Sequence, residues 1–491
     1  MATSDASAGT RVEQCDLCIV GAGLAGINAL FVASRYLSPE QRIILIDRRQ
    51  RVGGMWVDTY PYVRLHQPHP MFTAGNIEWT LGRDRAYLAT KSEVLDHFQH
   101  CLNVIKQRVR VDEFFGCEFE SDDESDGTVR VTCRSSDGEH VVIDATRLIK
   151  AYGFGVAPND ALDISSSRVV SVSPDFCDMR GDEMRASDTP VWIIGGGKTA
   201  MDTAHALITE YPGREVNLVA GSGTFFTSRD KVLPSGARRW WRGKPFSSMG
   251  LELAQMFDGT NETEVAKWYR ETYGTSVTTQ TANFLLGVLS DAENSTIVAG
   301  LNDVIMDYAV DVVDSNGATD MVFRSGATKA VQAGSWIVNC TGYVFRTGRP
   351  YEPYISPGGA VVSIQPRSAT LHLTSYMGYF LTHMLLLDKI TEVPLYELDA
   401  YELWSRRREA GSYALISLAQ YNMSLMSDAL PTKVFTECGL DFDRWYPLPR
   451  RMIALARYTR THRRDRERWR RALDTLRERL DIRCGPLVGT R

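Results

Sequence analysis

The sequence predicts an α/β fold made of two parallel-sheet lobes, one inserted into the other. Three observations carry this. A strand, glycine turn, helix and strand run from Cys15 to Asp47; the same order recurs from Val191 to Ala220; and strand-like segments beyond Ala309 return the chain to its first lobe. A chain of 491 residues has room for two to four domains, or for one large architecture with insertions.

The N-terminal stretch Met1 to Gln14 is small and polar, without an apolar signal core, and residues 1–11 read as a leader. Cys15 to Val20 is then a short apolar strand, Leu24 to Leu37 a helix, and Arg42 to Ile46 a second strand ending at Asp47. The turn between strand and helix is Gly21-Ala22-Gly23-Leu24-Ala25-Gly26. Gly21 permits the sharp turn, Gly23 lets backbone approach a pyrophosphate, and Gly26 lets helix and strand pack closely. The helix N-terminus then faces an anion, and Asp47 is placed to accept hydrogen bonds from ribose hydroxyls. Thr90-Lys91-Ser92-Glu93 reads as a capping box opening a helix to about Gln107. Period-two stretches at 109–118, 128–134 and 141–148, split by Asp126-Gly127 and Asp137-Gly138, read as a β-meander.

The second β-α-β unit has Val191 to Ile194 as strand, Gly195-Gly196-Gly197 as turn, Lys198 to Glu210 as helix and Glu215 to Ala220 as strand. Its motif Gly195-x-Gly197-x-x-Ala200 suits a second dinucleotide, with Lys198 and Thr199 at the phosphate end. Lys198 either touches a phosphate or solvates the loop. No acidic residue stands near Gly221 to hold a ribose 2′-hydroxyl, so NADPH is expected over NADH, with Arg229 and Lys231 the nearest basic candidates for a 2′-phosphate. Two Rossmann-like dinucleotide-binding domains follow: a first lobe at 12–160 completed by 331–491, and a nicotinamide lobe at 161–330 with a helical insertion at about 240–304 that shapes the substrate pocket.

Composition sets the broad class. The hydrophobic fraction of 44% and charged fraction of 23% are ordinary for a globular protein, and the net charge of −5 exerts no overall pull toward nucleic acid. No apolar run of about 18 residues occurs, and nine irregularly spaced cysteines suit reduced thiols, so a cytoplasmic protein without nucleic-acid or membrane partners is expected. Arg450 to Arg479 reads as a basic C-terminal helix whose stripe Trp469, Leu473, Leu476 and Leu480 docks on the protein's own body.

Further motifs carry a resemblance. Gly53-Gly54-Met55-Trp56 is similar to the Gly-Gly-x-Trp of class B flavin monooxygenases, the group of flavin-containing, Baeyer-Villiger and N-hydroxylating enzymes. Tyr60-Pro61 with Arg64 resembles the Baeyer-Villiger Tyr-Pro-x-x-Arg, Leu65-His66-Gln67-Pro68 a Leu-His-x-Pro segment, and Cys340-Thr341-Gly342-Tyr343 the family's Ala-Thr-Gly-Tyr. The resemblance implies FAD at Gly21, Gly23, Gly26, Asp47, Gly54, Met55, Trp56, His66, Gln67, Thr341 and Gly342. It places NADP at Gly195, Gly197, Lys198, Thr199, Ala200 and Arg229. It further implies that NAD(P)H reduces the flavin, that oxygen adds at its C4a position as a (hydro)peroxide, and that one oxygen atom passes to a small organic substrate by N- or S-oxygenation or Baeyer-Villiger oxidation, in a monomer or homodimer. His66 and Gln67 either contact the cofactor or hold backbone turns. The linker Gly153 to Asp188 departs from the family, because it contains no His where a fingerprint often has one.

No catalytic side chain or metal cluster is assigned. The main alternative is a flavin-dependent NAD(P)H oxidoreductase or oxidase without oxygen insertion; a non-enzymatic binder on the same fold is a further one. Disulfide reductases of this design need a cysteine pair beside the flavin, whereas here Met55-Trp56 follows Gly54 and Cys15-x-x-Cys18 lies inside a strand. The segment Tyr376 to Leu387 reads as a helix whose N-terminus stabilises negative charge on the ring, with His383 a packing residue.

Overall fold

The computed structural model describes residues 10–343 and 348–487. The leader read at 1–11 therefore lies outside the described residues except for Thr10 and Arg11, which already belong to β1 (Thr10–Val20). The end of β1 is buried on both faces, with Leu17 and Ile19 in one apolar cluster and Cys18 and Val20 in another, and this is why it reads as a continuous apolar run. Helix α1 (Leu24–Ala33) ends four residues earlier than its apolar pattern suggests, and β2 is Arg42–Asp47.

Helix α2 (Lys91–Lys106) opens on the expected capping box, in which Thr90 and Glu93 satisfy each other's backbone amides. Strands β3 (Arg110–Phe115), β4 (Cys117–Ser125), β5 (Thr128–Ser135) and β6 (His140–Lys150) complete one sheet ordered β3-β2-β1-β6-β5-β4. The first four positions are parallel, and β4 to β6 form the antiparallel meander.

The second sheet contains β7 (Val170–Val172), β8 (Val191–Ile194) and β9 (Val216–Val219), joined by Asp303–Ile305 and Trp336–Asn339. All its pairings are parallel. One expectation is corrected here. Trp336–Asn339 does not return the chain to the first lobe; it pairs between β7 and β8, and the return is made by Val361–Ser363 against β6. Periodicity identifies a buried parallel strand, but which sheet it joins is a non-local choice. Ala309–Ser315, Ala318–Phe323 and Thr328–Ala330 form a separate antiparallel sheet.

The first core packs α1 between its sheet and a helix from the far end of the chain, Thr374–Leu386. The contact is close enough that any side chain at Gly378 would overlap the carbonyl of Ala25. The insertion after Trp240 contributes three helices, Phe246–Met256, Glu262–Tyr273 and Asp291–Gly300. The first of these packs on Gly411–Ala429 and on the C-terminal helix Leu448–Leu480, forming a second core. In that last helix Trp469, Leu473 and Leu476 are buried, and Leu480 is partly so. Hereafter Lys198–Glu210 is α3, Phe246–Met256 α4, Thr374–Leu386 α5, Gly411–Ala429 α6 and Leu448–Leu480 α7. No described helix is long and apolar enough to cross a membrane.

Candidate active site

The glycine turn after β1 is built by close approaches. Gly21, at φ +101°, donates its N–H to the Ile46 carbonyl at 2.7 Å, and a Cβ at Gly26 would overlap the carbonyl oxygen of Gly21. Gly53 donates to the carbonyl of Ala22 at 2.9 Å and so ties the Gly53-Gly54 turn onto the loop. Helix α1 has Gly23 as N-cap, no side-chain cap and no acidic residue in its first turn. Its leading amides therefore have no side-chain acceptor at the cap, the condition under which a helix N-terminus can take an anion.

Asp47 accepts hydrogen bonds from Ala22 N at 2.7 Å and Arg49 N at 2.8 Å. It therefore organises the turn and also lines the cavity before it. Each carboxylate oxygen retains a lone pair for a ribose hydroxyl.

The second loop repeats the design. At Gly195, φ +136°, a Cβ would overlap the carbonyl of Cys340, and at Gly196 it would lie 2.6 Å from the Ala220 carbonyl oxygen, whereas at Gly197 it would meet no atom within 4 Å. The first two glycines serve packing, and the third leaves open space before the uncapped N-terminus of α3. Ala200 is fully buried behind it.

One cavity of about 1630 Å³ joins both loops. Gly21, Gly23, Asp47, Gly54, Met55, Trp56, His66, Gln67, Gly197, Lys198, Thr199 and Gly342 line it, while Gly26, Gly195, Ala200, Thr341 and Arg229 are not among its lining residues. Trp56 packs edge-on against Phe72, with ring centroids 5.6 Å apart. Thr341 is turned into the scaffold: its hydroxyl donates to Asn339 Oδ1 at 2.7 Å, and its carbonyl accepts from Asn159 Nδ2 at 2.6 Å. Asp175, from the linker that lacks a histidine, accepts from the Tyr343 hydroxyl at 2.7 Å and from Asn159 N at 2.9 Å.

Two basic candidates are engaged. Lys198 is ion-paired with Asp202 one turn along α3, and Tyr60 of the first lobe donates to the same carboxylate at 2.8 Å. Arg229 is ion-paired with Glu293 and donates to the carbonyl of His66 at 3.1 Å. Burial, reinforced by the positive charges of Lys198 and Arg229, holds the His66 imidazole well below its usual range and therefore neutral. Arg64 lies on the surface and donates to the Leu88 carbonyl at 3.2 Å.

Helix α5 presents its N-terminus to the cavity through Leu373, Thr374 and Ser375, again without a side-chain cap or an acidic first turn. Burial lowers the neighbouring His372 to about 4. His383 is buried inside α5, with Nδ1 2.7 Å from the Tyr36 hydroxyl, which is a packing position. The insertion contributes Phe246, Met249 and Tyr269 to the lining.

Sequence reading missed His372 and the Tyr60–Asp202–Lys198 junction between the lobes. The i, i+4 spacing of Lys198 and Asp202 was its available signal. Among the described residues, no group of three or more His, Cys, Asp or Glu is arranged to hold a metal ion.

An interrupted two-lobe α/β fold, with a glycine turn and an uncapped helix N-terminus at the carboxyl ends of β1 and β8 and both loops lining one cavity, is the architecture of a two-dinucleotide fold. Residues 15–238 match the family model of pyridine nucleotide-disulphide oxidoreductases. Rv2000, an uncharacterised protein of Mycobacterium tuberculosis, is 28% identical over 209 residues, a match covering 39% of this chain and 35% of that protein. The match thus spans only 35% of the length of this curated relative. Among solved structures, open cyclohexanone monooxygenase gives a TM-score of 0.51 at 13% identity over 85% of this chain and 98% of that one, which shows the shared fold. The bacillithiol disulfide reductase YpdA of Staphylococcus aureus gives 0.47 at 11% identity, over 77% and 99%.

Proposed function

We propose that the protein is an FAD-dependent monooxygenase that uses NAD(P)H and oxygen to place one oxygen atom in a small organic substrate, at nitrogen, at sulfur or beside a carbonyl. The observation that carries this reading is the single cavity linking the two cradles, with Trp56, His66 and the N-terminus of α5 among its lining residues. FAD, when bound, supplies hydride acceptance and oxygen activation. The chain's residues supply the rest. The uncapped amides of α1 and α3 take the two pyrophosphates, and Asp47 takes a ribose. The N-terminal amides of α5 favour negative charge placed before them, and neutral His66 adds no competing cation. NADPH is preferred because residues 220–228 carry no carboxylate against a 2′-phosphate; that phosphate would compete with Glu293 for Arg229.

Thiol chemistry fits the cavity poorly. Cys340 and Cys438 line it, but burial raises both to about 12, so they remain thiols rather than nucleophilic thiolates. Cys117, the first residue of β4, lines the cavity too; its hydrogen bond with Cys133 of β5 holds its thiol below the usual range, but it stands two residues past the β3 residue that pairs with Asp47, at the proposed ribose end.

The test is anaerobic reduction of the purified flavoprotein with NADPH and with NADH, followed by labelled oxygen and a panel of ketones, sulfides and amines. Label in the product supports the reading. Hydrogen peroxide matching the nicotinamide consumed, with every substrate unchanged, would identify an oxidase instead.

A further inference from the structure

The outer end of the cavity opens through a surface of unusual composition. Leu448, Met452, Leu455 and Thr459 recur at i, i+4, i+7 and i+11 of α7, and all four line the cavity. The three apolar ones are also exposed, at 65%, 52% and 53%, as is the adjacent Ile453 at 71%. Beside them lies the turn Gly236–Trp240, fixed to the start of α7 by Arg450, which donates to the carbonyls of Arg239 at 3.0 Å, Gly243 at 2.7 Å and Arg242. This turn and the residue after it present Trp240 and Trp241, exposed at 55% and 67%. Six large apolar side chains are thereby gathered at one rim.

The same rim is strongly basic. Neither 236–245 nor 446–464 contains an Asp or Glu, although the whole chain carries a net charge of −5. Lys244, Arg451, Arg457 and Arg463 reach Glu252, Asp441, Glu252 and Asp428 on neighbouring elements. Among the described residues Arg238, Arg239, Arg242 and Arg460 have no ion pair.

We infer that this rim is a docking surface for an anionic lipid bilayer. Exposed tryptophans, long aliphatic side chains and arginines on adjoining segments suit the headgroup boundary, where the apolar groups enter the acyl layer and the guanidinium groups meet lipid phosphates. A nucleic acid would use the arginines but gain nothing from Leu448, Met452, Ile453 and Leu455, since phosphate contacts are electrostatic. A second copy of the chain would set the unpaired arginines against each other. The cavity mouth lies in the same face, so a docked molecule would draw lipid-soluble compounds directly into the cavity. That last consequence rests on the proposed oxygenation, while the docking itself does not.

The test is co-sedimentation of the full flavin-loaded chain with vesicles of phosphatidylcholine alone and of phosphatidylcholine mixed with phosphatidylglycerol. The wild type should sediment with the anionic vesicles and be released by salt. The double variants Trp240→Ser/Trp241→Ser and Arg238→Gln/Arg242→Gln should each lose about tenfold or more in partitioning, with flavin content and far-ultraviolet circular dichroism unchanged because all four side chains are exposed. Failure of the wild type to sediment with anionic vesicles, equal sedimentation of the tryptophan variant, or duplex DNA binding in place of vesicle binding would each overturn the inference. None of these readouts involves oxygenation, so the two proposals fail separately.

Discussion

A methyl group placed on Gly54 would lie 2.7 Å from the α-carbon of Gly23. The phosphate loop after β1 and the Gly53-Gly54 turn are thus one packed unit, and neither glycine can gain a side chain without moving the other's backbone. Gly54 is also held at φ +56°, where an L-residue costs roughly 1–2 kcal/mol. Gly54→Ala should purify with less bound flavin than wild type, measured as the flavin-to-protein absorbance ratio. Full flavin occupancy with unchanged retention on dialysis would contradict this.

The second loop separates packing from ligand approach. Gly195→Ala must displace the Cys340 carbonyl and is expected to lower Tm, whereas Gly197→Ala meets no atom and should fold normally. The open space at Gly197 is where the proposed pyrophosphate approaches. Gly197→Ala should therefore raise the KM for the nicotinamide about tenfold, equivalent to ~1.4 kcal/mol. Thermal melts and steady-state kinetics on the two variants decide it, and the opposite pattern would exclude the assignment.

Asp202 holds Lys198 and Tyr60 together across the lobe junction. In Asp202→Ala both partners lose their acceptor in a partly buried setting, with an expected cost of about 1–3 kcal/mol. Urea unfolding should show a lower midpoint than for Asp202→Asn, which retains an acceptor for the tyrosine hydroxyl. Identical midpoints for the two variants would mean that the junction does not depend on this contact.

Acid should destabilise the fold through buried imidazoles. His383 is lowered from 6.5 to about 4 by burial, with Arg35 adding to it. A depressed folded-state value means that the unfolded chain binds the extra proton, so stability is complete above about 6.5 and is lost as pH falls toward 4. At about 1.4 kcal/mol per pH unit the loss approaches ~3 kcal/mol. Glu397 and Asp441, both raised to about 6 by burial, act the other way and stabilise as pH falls through 6. His383→Gln should flatten the dependence of unfolding free energy on pH between 6.5 and 4; an unchanged slope would assign the effect elsewhere.

The sequence by itself determined both glycine turns, the strands that enter them, the Thr90 capping box and the buried stripe of the last helix. These depend on backbone conformation and periodicity among residues close in the chain, and such constraints leave local signatures. It also carried the Gly53-Gly54-Met55-Trp56 motif, whose residues 54–56 line the cavity. Only the tertiary structure decided which sheet Trp336–Asn339 joins, that Tyr60 meets Asp202, that Arg229 is engaged by Glu293, and that His372 reaches the cavity. It likewise gathered Trp240 and Trp241 beside Leu448, more than two hundred positions away in the chain. Each of these is a contact between distant segments, set by how whole elements pack, and no pattern along the chain records it.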